Sequence, residues 1–125
     1  MAQKTAPAKT LLIVEDNPVV REELSLALRR RGYSVAIAAN GRQALEQLRD
    51  SAFPDLILLD MLMPVMDGWQ FLKELRQLAP RPSVPIIITT GSIVTRDWAL
   101  DHGAVGFLKK PFSDDELVTE VQRCC

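Results

Sequence analysis

Five positions carry the side chains with which this sequence could do chemistry: Glu15, Asp16, Asp60, Thr90 and Lys110. Each follows a short apolar run. Leu11 to Val14 ends in Glu15-Asp16, Leu56 to Leu59 ends in Asp60, Ile86 to Ile88 ends in Thr89-Thr90, and Val105 to Leu108 ends in Lys109-Lys110. Carboxylates crowded into one cleft are unfavourable unless a cation neutralises them. A few carboxylate oxygens with open water positions are what Mg2+ prefers. A hydroxyl donor and a compact positive charge suit the oxygens of a phosphoryl group. Brought together, the five would form a site built to carry phosphate on Asp60.

Bringing them together is the work of the surrounding elements. The apolar runs are too short for helices and are bounded by turn residues, so they read as strands buried on both faces, as in a parallel sheet. In such sheets ligand chemistry collects just outside the carboxyl ends of the strands. Between the runs lie helical patterns. Pro18, capped by Asp16 or Asn17, opens a helix with Val20, Leu24, Ala27 and Leu28 on one face up to Gly32. Arg29-Arg30-Arg31 closes it as a complement to the helix dipole, not as a phosphate patch. Tyr33 to Ala38 alternates and reads as a strand nearer the sheet edge. Asn40-Gly41 leads into a second helix bearing Ala44, Leu45 and Leu48, which ends before Pro54.

Asp67-Gly68 opens a third helix with Phe71, Leu72, Leu75 and Leu78 inward, broken by Pro80 to Pro85; Asp67 is read as turn chemistry. A fourth helix is expected over Val94 to Asp101, with Trp98 and Ala99 packing and Gly103 as its stop. Ser113 caps the last helix, with Glu116 completing a capping box before Leu117, Val118 and Val121. Five strands alternating with five helices predict one α/β domain. Right-handed crossovers then carry every strand exit to the same edge of the sheet.

Composition narrows the class. A chain of 125 residues, 47% hydrophobic and 25% charged, supports one core. A formal net charge of -1 provides no field to gather nucleic acid or an anionic membrane. No apolar stretch approaches the roughly 20 residues of a membrane span, and Met1 to Lys9 lacks the apolar middle of a secretory signal. A cytoplasmic protein is therefore expected, with residues 1–8 a flexible leader and residues 9–125 a single domain. Cys124 and Cys125 are adjacent at the end of the chain and read as reduced surface thiols. His102 is the only histidine and has no partner motif.

In combination, Glu15-Asp16, Asp60 with Met63-Pro64 and Asp67-Gly68, Thr90-Gly91, and Lys110-Pro111-Phe112 resemble a response-regulator receiver domain of a two-component phosphorelay. The resemblance runs from about Lys9 to Gln122. It implies a three-layer, doubly wound, five-stranded parallel sheet of flavodoxin-like type with strand order 2-1-3-4-5. Asp60 would accept a phosphoryl group from a sensor histidine kinase or a histidine phosphotransfer protein. Asp16, Asp60 and the backbone carbonyl of Leu62 would bind Mg2+, with Glu15 reaching it directly or through water. Lys110 would stabilise charge on the transferring group, and Thr90 would move to bond it. Phe107, in the switch-aromatic position, would turn inward and change the surface of the fourth helix, fifth strand and fifth helix for a downstream protein. Catalysis would be confined to the chain's own phosphorylation and dephosphorylation, so it is not read as an enzyme, with no direct contact to nucleic acid or membrane.

Some residues depart from the commonest family pattern. Leu62, two residues past Asp60, and Met61 are apolar where the family often has a polar residue near the attacking water, and a Leu62 that cannot orient that water implies a long-lived phosphoryl group. Val105-Gly106 replaces a more usual acidic pair, and Phe107 replaces the frequent tyrosine. Two other classes are weighed. A degenerate receiver serving as a constitutive docking module is opposed by the intact Asp16, Asp60, Thr90 and Lys110. An aspartyl-nucleophile phosphatase usually has a second acid where Leu62 stands. With the chain ending soon after its fifth helix, a free-standing regulator or a receiver cut from a longer protein is expected.

Overall fold

The computed structural model describes residues 8–63, 65–78, 84–91 and 94–125. The expectations for residues 1–7 of the leader, for Pro64 and for most of the Pro80–Pro85 break lie outside the described residues. In chain order the elements are β1 (Thr10–Val14), α1 (Pro18–Arg29), β2 (Ser34–Ala38), α2 (Gly41–Asp50), β3 (Leu56–Asp60), α3 (Gly68–Leu78), β4 (Ile86–Thr90), α4 (Arg96–Asp101), β5 (Gly106–Lys109) and α5 (Asp114–Cys124). All strand pairs are parallel, in the order β2-β1-β3-β4-β5. This is the doubly wound, flavodoxin-like arrangement expected above.

Side chains on a strand alternate between faces, so an apolar run buried at every residue needs a helix layer on each side. The central strand β3 is buried throughout. Leu11, Ile13, Leu56, Leu58 and Ile87 pack with Leu24 and Leu28 of α1 and Leu117 and Val121 of α5. Leu12, Val14, Ile57, Leu59 and Ile88 pack on the other face with Leu45 of α2, Phe71 and Leu72 of α3 and Ala99 of α4. Two cores separated by one sheet make the three layers.

Local chemistry sets the element ends. Asn17 Oδ1 accepts from the Val19 and Val20 N–H groups, Asn40 Oδ1 from Gln43 N–H, and Ser113 and Glu116 form the expected capping box. Gly32 and Gly103 follow α1 and α4 with φ of +92° and +93°, a left-handed conformation that glycine adopts without strain. The expected fourth helix is shortened. It begins at Arg96 and not at Val94 because the Thr95 hydroxyl caps Trp98 N–H at 3.1 Å. Similarly, β5 runs one residue later than its apolar run, since ladder hydrogen bonds and not hydropathy define its ends.

The edge strands are covered by side chains. On β2, Arg29 Nη2 donates to the Val35 carbonyl at 3.0 Å and Gln47 Nε2 to the Ile37 carbonyl at 2.7 Å. Such coverage hides groups that otherwise template pairing with another chain. Among the described residues no helix is long and apolar enough to cross a membrane.

Candidate functional site

The sheet order makes β1 and β3 neighbours, so their exits open into one cleft. One oxygen each from Glu15, Asp16 and Asp60 lies within 4.8 Å of the others. Glu15 and Asp60 are 2% and 4% exposed, whereas Asp16 is half-buried. Lys110 enters from the end of β5, where its N–H donates to the Thr90 carbonyl at 2.9 Å. Its Nζ lies 2.6 Å from Glu15 Oε1 and 3.5 Å from Asp60 Oδ2. Glu15, expected as a metal residue, is thus also the nearest partner of the lysine.

Burial and charge pull the site in opposite directions. Burial, then the neighbouring Glu15 charge, push the Asp60 carboxyl up from 3.8 to about 6, against the opposing Lys110 charge and the Leu62 N–H. A hydrogen bond with Asp16 pushes it the same way as burial. For Lys110, burial lowers the ammonium, but the hydrogen bond to Glu15 and the charges of Asp60 and Glu15 outweigh it and the group is raised. The cleft therefore keeps its lysine charged while holding more carboxylate than one ammonium can balance.

Several groups fix the acidic residues in place. Arg21 Nη1 donates to the Glu15 carbonyl at 3.0 Å and the Asp16 carbonyl at 3.4 Å, while Asn17 N–H donates to Glu15 Oε2 at 3.2 Å. Leu62 N–H donates to Asp60 Oδ1 at 3.2 Å, and the Leu62 side chain beside it is 59% exposed. Asp67 acts as turn chemistry, its Oδ1 accepting from Gln70 N–H at 3.0 Å. Gly68 is a residue that sequence reasoning left as part of that turn. A Cβ there would lie 2.5 Å from Met61 Sδ, 2.7 Å from Met61 Cα and 3.1 Å from the Asp60 carbonyl oxygen. Arg21 had no signal at all, because its partners are backbone carbonyls five and six residues away across a turn.

Thr90 and Phe107 belong to the neighbouring strands β4 and β5. Thr90 is fully buried at the end of β4. Phe107 pairs in register with Ile88, two residues earlier on β4, so Phe107 and Thr90 share one sheet face. Phe107 is inward, 7% exposed. Its neighbour Glu120 is buried on α5 and accepts hydrogen bonds from Phe107 N–H, Arg96 and Arg123.

The Arg123 hydrogen bond, helped by Phe107 N–H and the charges of Arg123 and Arg96, holds the Glu120 carboxyl below its ordinary 4.5 although burial opposes it. A depressed carboxyl stabilises the fold above its unfolded value and loses that contribution as pH falls through the folded one. Glu120→Gln is accordingly expected to flatten the acid limb of the stability curve below about pH 5, measured by urea unfolding across pH. An unchanged limb would mean the arginines leave with no net effect on this carboxylate.

Residues 11–122 match the family model described as the response regulator receiver domain. The chain is similar to Response regulator MprA of Mycolicibacterium vanbaalenii, at 35% identity over 90% of this chain and 48% of that protein. It is also similar to Transcriptional regulatory protein ZraR of Escherichia coli K12, at 41% identity over 90% of this chain and 25% of that protein. The chain thus spans about half the length, or less, of these curated relatives. Among solved structures, TrrA of Thermotoga maritima in complex with Mg(2+)-BeF superposes with a TM-score of 0.80 at 31% identity, covering 94% of this chain and 99% of that one.

Proposed function

This chain belongs to the response regulator receiver domain family of two-component systems, and from that premise we propose that Asp60 accepts a phosphoryl group in a Mg2+-dependent reaction. The donor is a phosphohistidine on a sensor kinase or histidine phosphotransfer protein. The observation that carries this reading is the cleft itself, where three carboxylates meet within 4.8 Å and Lys110 reaches two of them.

The donor set fits Mg2+, because clustered carboxylates against one ammonium leave negative charge uncompensated and oxygen ligands are what this ion takes. Asp16, Asp60 and the Leu62 carbonyl would hold it, with Glu15 directly or through water. When bound, the ion supplies charge neutralisation at the phosphoryl oxygens. The chain's own residues do the rest. Asp60 forms the new P–O bond as the P–N bond to the donor imidazole breaks, and that electron pair returns to the ring nitrogen. Lys110 Nζ, 3.5 Å from Asp60 Oδ2, is within reach of an oxygen on the incoming group. Leu62 N–H and the loop behind it hold the carboxylate for in-line attack. The Thr90 hydroxyl then bonds the phosphoryl group, and the surface formed by α4, β5 and α5 is read by a downstream protein as a shift of population. The Mg(2+)-BeF complex of TrrA supports the same ligand class here.

Intact mass after incubation with Mg2+ and acetyl phosphate tests the reading. One phosphoryl mass, dependent on Mg2+ and absent in Asp60→Asn, is the expected result. Consumption of the donor without an adduct would point to an aspartyl phosphatase, and an untouched donor to a docking module. The decay of that adduct tests Leu62. An exposed apolar side chain beside Asp60 cannot orient a hydrolytic water, so Leu62→Asn is expected to shorten the phosphoryl lifetime by about tenfold or more. Equal decay rates would remove this role.

A further inference from the structure

Phe107 is gripped through both of its backbone hydrogen-bonding groups by charged side chains from two helices. Glu120 Oε2, on α5, accepts from Phe107 N–H at 3.0 Å, and Arg96 Nη2, on α4, donates to the Phe107 carbonyl at 3.1 Å. The two grips are joined: Arg96 Nη1 reaches Glu120 Oε2 at 3.5 Å, and the guanidinium carbon lies 5.8 Å from the Phe107 ring centroid. Arg123 holds the same carboxylate from the other side, through Nε at 3.2 Å and Nη2 at 2.9 Å. Gly106 makes the seat possible. A Cβ at that position would stand 2.6 Å from Glu120 Oε2 and 3.0 Å from Cys124 Sγ.

An edge strand needs its open groups covered, and β2 meets that need with Arg29 and Gln47. The β5 arrangement differs in two ways. It uses a buried carboxylate, which is costly unless well bonded, and it centres on Phe107, to which the receiver reading assigns the switch together with Thr90. We infer that Arg96 and Glu120 form a latch that holds Phe107 inward and, as positioning residues, set how tightly the Asp60 site binds a phosphoryl group. The inference rests on the receiver reading above. On the receiver reading an inward ring and a Thr90 turned to the phosphoryl group belong to one arrangement, and Phe107 and Thr90 do lie on one sheet face. A ligand bound better by one arrangement has its apparent affinity reduced by the fraction of molecules outside it. Releasing the latch lowers the inward fraction and weakens binding.

The experiment titrates beryllium fluoride, a phosphoryl mimic, in excess Mg2+ and follows emission from Trp69 and Trp98. These are the chain's two tryptophans, with ring centroids 4.3 Å apart on α3 and α4. Arg96→Met and Glu120→Gln are each expected to raise the midpoint by about fivefold to tenfold, as a coupling of ordinary size would. The double variant should go little further than either single one, since the pair acts as a unit. Arg29→Met, which uncovers the opposite edge, should leave the midpoint unchanged. The Arg96 side chain is 51% exposed, so its variant keeps the test open even if Glu120→Gln fails to fold. Midpoints for Arg96→Met within twofold of the parent, with a loss of unfolding stability like that of Arg29→Met, would overturn the latch and leave only an edge cover. A parent protein that does not respond overturns the receiver reading and the latch with it.

Discussion

Asp60→Asn is expected to abolish phosphoryl uptake and, at the same time, to stabilise the cation-free domain. The Asp60 carboxyl, raised from 3.8 to about 6, is a charge the fold would rather not hold. A group raised in the folded state destabilises above its folded value, and the penalty shrinks as pH falls toward the unfolded one. At about 1.4 kcal/mol per unit, reduced for screening at the mouth of the cleft, removing this charge should gain about 1–3 kcal/mol at pH 7.5. The gain should fall to roughly half by pH 5, where most of the folded carboxyl is already protonated. Urea unfolding of both proteins at the two pH values measures it. In saturating Mg2+ the gain should shrink again, since the parent then has a counter-charge that the asparagine cannot use as well. A variant less stable than the parent at pH 7.5 would show that Lys110 and Leu62 N–H compensate the charge fully. The site would then carry no stored cost.

Gly68→Ala should damage stability and chemistry together. The added methyl would meet Met61 Sδ at 2.5 Å and, more seriously, Met61 Cα at 2.7 Å. A sulfur at the end of a flexible side chain can move aside, but Met61 Cα cannot move without moving Asp60, its covalent neighbour. Gly68 N–H also donates to the Met61 carbonyl at 3.1 Å, so α3 is tied to the same segment. Overpacking of this kind costs about 1–3 kcal/mol. Because a displacement of about 1 Å in a reacting group can cost on the order of a hundredfold in rate, the initial rate of adduct formation should fall by about tenfold or more. Chemical denaturation and intact mass on the same sample separate the two effects. A loss of stability with an unchanged rate would make Gly68 a packing position only.

Much of the architecture was legible because its causes are local. Apolar runs bounded by turn residues become strands, Asn40 and Ser113 cap the helices that follow them, and Gly32 and Gly103 stop helices in the left-handed conformation that their lack of a side chain permits. Where an end was misplaced, as at α4, a hydroxyl cap competed with hydropathy and won. The acids at the strand exits could be named from the sequence for the same reason: each lies next to the run that delivers it.

What the chain alone determined is therefore the set of elements and the chemical groups at their ends. Only the tertiary structure decided which of those groups meet. Lys110 binds Glu15 more closely than Asp60 across 95 residues of chain, and Glu120 reaches Phe107 from α5. Gly68 and Gly106 matter because a Cβ would strike atoms of other segments, Met61 just past β3 in the one case and Glu120 and Cys124 of α5 in the other. Periodicity and capping act over about four residues, whereas these contacts depend on which strands are neighbours and how closely helices approach them. Packing sets those distances, and no local pattern in the chain records them.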